Sequence, residues 1–116
     1  MEKLIIKRDG LPPIAFTGEE IAKASNEFSG GNQANRWTSV KIYRTKGGKF
    51  IASISRLTIW QGESDRHSAA SYATAAEVIE WLKEDGDELG SVSQEAVEKA
   101  SKIEPAFAAA WVEEVE

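Results

Sequence analysis

Cysteine is missing from all 116 residues, which removes disulfides, thiolate zinc sites and cysteine nucleophiles together. Histidine occurs once, at His67, so a serine–histidine pair has only that imidazole to use. Long apolar runs are missing too. The opening Leu4-Ile5-Ile6 is fenced by charge, whereas a membrane span needs about 20 apolar residues and a secretory leader a longer core. The expectation is a soluble, cytoplasmic chain with no membrane partner, and the lack of thiols agrees with a reducing compartment. None of the serines sits in a Gly-x-Ser-x-Gly context, and neither Gly30-Gly31 nor Gly47-Gly48 belongs to a phosphate-binding glycine loop. No cofactor is expected.

Acid is also missing from one long window. Between Glu27 and Glu63 there is no Asp or Glu, while Arg36, Lys41, Arg44, Lys46, Lys49 and Arg56 all fall there. The net charge of −5 therefore hides a split: residues 1–66 carry eleven Lys/Arg against seven Asp/Glu, and residues 67–116 carry three against twelve. Such asymmetry bears on partners and solubility rather than on fold. Hydrophobic residues at 41% and charged residues at 28% are ordinary for a globular chain long enough to bury a core. One domain over 1–116 is expected, with a basic sheet half over about 1–72 and an acidic helical half over about 73–116.

Local patterns assign the elements. Leu4 to Lys7 reads as a short edge strand closed by Asp9-Gly10 and Pro12-Pro13. Phe16-Thr17-Gly18-Glu19-Glu20-Ile21 combines a capping box, Thr17 with Glu20, with a hydrophobic staple, Phe16 on Ile21. This predicts a helix to about Asn26. From Trp37 to Thr45 and from Lys49 to Trp60 the period becomes two, predicting a hairpin. A three-residue loop that pairs Thr45 with Lys49 puts Val40, Ile42, Phe50, Ala52 and Ile54 on one face. The other face then holds Trp37, Ser39, Lys41, Tyr43, Ile51, Ser53, Ser55 and Leu57. Ser68 to Tyr72 is expected to add a third antiparallel strand.

Thr74 and Glu77 form a second capping box before the stripe Val78, Ile79, Trp81 and Leu82, with Gly86 placed as its C-terminal glycine. A further helix starts near Ser91 or Ser93 and presents Val97, Ala100 and Ile103. The last begins at Pro105 and runs through Phe107, Trp111 and Val115. The fold class is α+β: an antiparallel sheet of three to four strands with about four helices, mostly packed on one face.

The hairpin is the most informative feature. Trp37, Lys41, Tyr43, Arg44, Lys46, Lys49 and Arg56 are the candidate partner-binding residues, because cations mixed with flat rings dominate interface hot spots. The same mixture suits nucleic acid, but the chain as a whole is acidic and carries no nucleic-acid-binding signature. The favoured function is therefore a small non-enzymatic binding or regulatory protein that engages a protein partner, with nucleic-acid binding as the alternative. A second alternative is a metal-dependent enzyme using Glu63, Asp65 and His67, two carboxylates and the imidazole at alternate positions of a turn. That spacing matches no recognised ligand motif.

Overall fold

The structure, a computed structural model, describes residues 2–26, 36–59, 62–83 and 89–112. Five strands come first: β1 (Glu2–Ile6), β2 (Ile14–Ser25), β3 (Arg36–Thr45), β4 (Phe50–Thr58) and β5 (Arg66–Tyr72). Three helices follow: α1 (Ala75–Leu82), α2 (Ser91–Ser101) and α3 (Pro105–Ala110). The strands form one antiparallel sheet in chain order, β1-β2-β3-β4-β5. The class is α+β, with one more strand and one fewer helix than the sequence suggests.

A single element accounts for both differences. The helix expected after Thr17 is the long strand β2 instead. Its neighbours outweigh the capping signal, because β1 pairs along its first half and β3 along most of its length. The register slips between Glu20 and Ala22, leaving Ile21 as an extra residue. Such a bulge breaks the alternation of side chains, so Ile21 and Ala22 are both buried. Gly18 is required by the close approach of β3: a Cβ there would lie 2.2 Å from the backbone oxygen of Arg44.

The hairpin follows its expected register. Thr45 N donates to Lys49 O, Gly48 N donates to Thr45 O, and Gly48 takes the left-handed φ of 87° that the three-residue loop needs. Val40, Ile42, Phe50, Ala52 and Ile54 all enter the main core. There they meet Val78, Ile79 and Leu82 from α1, Ala96, Val97 and Ala100 from α2, and Phe107 from α3. Phe107 meets Phe50 edge to face at 5.1 Å, an arrangement that adds about 0.5–1.5 kcal/mol to simple burial.

Thr74 caps α1 as expected, accepting from Glu77 N at 3.2 Å, while its hydroxyl donates to the Glu77 carboxylate. Helix α3 is shorter than its stripe implied, with Pro105 in its first turn and Trp111 as its C-cap. Ile103 lies beyond the end of α2 and is exposed, as is Val112. Trp60, Gly86 and Val115 lie outside the described residues. Among the described residues no helix is long and apolar enough to cross a membrane.

The second face of the sheet is not left to solvent. Asp9, in the turn after β1, donates its backbone N–H to His67 O on β5 at 2.9 Å. Its Oδ2 accepts from His67 N at 2.8 Å. The turn beside one edge strand therefore touches the opposite edge strand, and the sheet curls around the face away from the helices. Inside that curl Phe16 meets Tyr43 edge to face at 5.5 Å. Tyr43, Ile51 and Ala69 are buried, with partly buried Leu4, Ile6 and Ile14 sharing the face of Phe16.

Candidate functional site

The seven hairpin residues singled out by the sequence do not form one surface. Lys46 and Lys49 are exposed at the hairpin tip, and Trp37 stands at the other end of β3, roughly 30 Å away at the rise of an extended chain. Trp37, Lys41 and Tyr43 point into the curl, while Arg44 and Arg56 share the helix side with Ile42 and Ile54. Tyr43 is only 7% exposed and so offers little surface for contact. Burial raises its hydroxyl pKa, the Glu20 carboxylate raises it further, and a hydrogen bond with Ser53 opposes both.

Arg44 is committed to the fold. One guanidinium nitrogen holds Glu19 on β2 and the other holds Glu104, the N-cap residue of α3, at 2.8 Å. Those two carboxylates raise its pKa, Glu19 contributing most. The side chain ties β2 and β3 to α3, which explains a cation on a core-facing position.

The turn residues Glu63, Asp65 and His67 also separate. Glu63 receives a two-pronged contact from Arg36, Nε to Oε1 at 2.9 Å and Nη2 to Oε2 at 2.7 Å, and accepts from the Thr58 hydroxyl at 2.7 Å. The Arg36 guanidinium first, and Thr58 second, lower its carboxyl pKa to about 2. Asp65 caps the backbone N–H of Thr58 at 3.0 Å. The His67 ring instead turns into the curl, with Nδ1 at 2.9 Å from Ser55 Oγ. Among the described residues no group of three or more such side chains is placed to hold a metal ion. Each is engaged in a different local contact.

What does assemble is a cleft of about 670 Å³ where β3, β4 and β5 run out, at the end opposite the hairpin tip. Arg36, Arg56 and Arg66 line it together with Trp37, Leu57 and Thr38, and Glu63 and Asn26 border it. The register explains the concentration of charge. Thr38 lies opposite Arg56, Arg56 opposite Arg66, and Arg36 opposite Thr58. Directly opposed residues have Cβ atoms about 4.5–5.5 Å apart, and like charges so placed repel. Asn26 closes one border, its Oδ1 accepting from Thr38 N at 2.8 Å and its N–H donating to Thr38 O.

Sequence reasoning included Arg56 and Trp37 but missed Arg36 and Arg66 as members. Arg66 falls in a turn if β5 begins at Ser68. Starting the strand two residues earlier would have placed it against Arg56. No family model, curated protein or solved structure matches the chain.

Proposed function

We propose that this is a non-enzymatic binding protein that engages an acidic partner protein through the arginine-lined end of β3, β4 and β5. The observation that carries the reading is the Arg56–Arg66 opposition within a cleft shared with Arg36 and Trp37. Two arginines directly opposed in the register, with a third in the same cleft, favour carboxylates, since Arg recognises them with two parallel hydrogen bonds. Trp37 and Leu57 in the cleft, and exposed Ile59 just beyond β4, add the apolar contact typical of protein interfaces. The chain carries no nucleic-acid-binding signature, which favours a protein partner over nucleic acid. The separate engagements of Glu63, Asp65 and His67 support a binding role over catalysis.

The test is charge reversal. Partners cross-linked to the intact protein would be identified, purified and titrated against it and its variants. Arg56→Glu with Arg66→Glu is expected to weaken the complex on the order of tenfold or more, while Lys46→Glu with Lys49→Glu at the hairpin tip leaves it nearly unchanged. The reverse ranking would overturn the proposal. An oligonucleotide shift that disappears steeply with salt, with no protein complex, would replace the protein partner by nucleic acid.

A further inference from the structure

The inner face of the curl carries a second pattern, independent of the arginine cleft. Near the hairpin tip Tyr43 lies opposite Ile51 on one side and the exposed Glu20 on the other. Towards the other end it becomes polar in two successive rows. In one, Ser25, Ser39, Ser55 and His67 lie opposite one another across β2, β3, β4 and β5. In the next, Lys23 lies opposite Lys41, and Lys41 opposite Ser53. Lys41, Ser39, Ser55 and His67 are half-buried and Ser53 is buried. Simple packing would fill such positions with apolar side chains.

Two lysines directly opposed on one face repel, and among the described residues neither ammonium group has a hydrogen-bond or ion-pair partner. The nearest carboxylate on this face is Glu20, one row nearer the hairpin tip, and neither serine row carries an acid. We propose that the inner face of the curled sheet binds a small oxyanion, with Lys41 as the cation, Ser39 and Ser55 as hydroxyl donors, His67 behind Ser55, and Lys23 at the rim.

The Ser55–His67 contact gives the arrangement its direction. When Nδ1–H of His67 donates to Ser55 Oγ, the serine hydroxyl hydrogen is released to point at the anion. Asp9 contributes by fixing the His67 backbone on both its N–H and its C=O, which holds the ring in the row. Tyr43, Ile51 and Ser53 beside it are buried, Tyr43 against Phe16, and low solvent access strengthens charge-assisted hydrogen bonds. Phosphate and carboxylate groups share the required chemistry.

His67 is the only histidine, so one proton resonance of its ring reports on this place alone in untagged protein. The experiment titrates the intact protein with inorganic phosphate and, separately, with acetate at constant pH and ionic strength. The expected result is a saturable movement of the His67 resonance with at least one of the two probes. Phosphate alone would specify a phosphoryl ligand, and acetate alone a carboxylate. Affinity is expected to fall on the order of tenfold or more in Lys41→Gln, since a charged hydrogen bond is lost, and to fall also in Ser39→Ala. The Lys46→Glu, Lys49→Glu protein, changed at the far hairpin tip, is expected to titrate like the parent, so that charge as such is separated from charge at this site. Variants are compared only after their thermal midpoints are shown to match the parent. A resonance that stays still with both probes, or moves equally in Lys41→Gln and Ser39→Ala, would overturn the proposal.

Discussion

The two faces of this sheet are buried by different means. On one, Val40, Ile42, Phe50, Ala52 and Ile54 disappear under three helices, and the cluster is apolar throughout. On the other, the sheet covers itself: Phe16 folds over Tyr43, and Asp9 meets His67 across the gap. The helices seal their face over that cluster but not at its far end, where Arg56 and Arg66 are exposed. The curl closes over Tyr43 and Ile51 and leaves Ser39 and Ser55 half-buried. Along β3 the helix-covered positions Val40 and Ile42 are fully buried, whereas Ser39 and Lys41 between them are only half-buried.

The comparison can be broken by substitution. Phe107→Ala removes a side chain with no exposed surface that contacts Phe50. A loss of about 3–5 kcal/mol is expected in denaturant unfolding. Ile51→Ala makes the corresponding change inside the curl, where Ile51 is 1% exposed. A smaller loss of about 2 kcal/mol is expected, because a partly open face relaxes around a cavity more easily. Equal losses would mean that the curl is as tightly built as the helical core.

Asp9→Ala is expected to act locally. Hydrogen exchange at the His67 amide should accelerate more than exchange at Ile42 or Ala52, because the bond from His67 N to Asp9 Oδ2 is lost. Uniform acceleration would show instead that the closure holds up the whole sheet.

The smallest effect concerns acid. Glu63 is held down to about 2 from an ordinary 4.5, so its contribution is fully present above the ordinary carboxyl range. That contribution is lost as pH falls through the lowered value. Glu63→Gln should flatten that part of the acid limb and leave stability at neutral pH little changed, since the Arg36 pair is solvent-exposed. A large neutral-pH loss would show that the cleft's geometry depends on this contact.

How far the sequence carries depends on how local the cause is. The hairpin register was readable because one pairing alone sorts Val40, Ile42, Phe50, Ala52 and Ile54 from Lys41 and Ser53, and Gly48 supplies its loop. Thr74 and Pro105 marked helix starts by chemistry confined to a single turn. Thr17 carries a similar mark without starting a helix, because it pairs with Lys3 on β1 and its carbonyl accepts from Lys46 N at the hairpin tip. Alternation was still visible over Ala22, Lys23, Ala24 and Ser25, and it was the better guide. The curl left no local trace: Tyr43 and Ile51 look like surface positions until Phe16 and Asp9 are brought over from β1 and β2. The arginine cleft needed the β4–β5 register, which one misplaced strand start conceals.

The Asp9 contact also bears on how the molecule behaves in a crowd. β5 is an outer strand, and its free N–H and C=O groups are the kind that recruit a strand from another chain. By occupying both backbone groups of His67, Asp9 denies an incoming strand that pair of bonds. Without it, concentrated solutions would be expected to form sheets that continue from one molecule into the next.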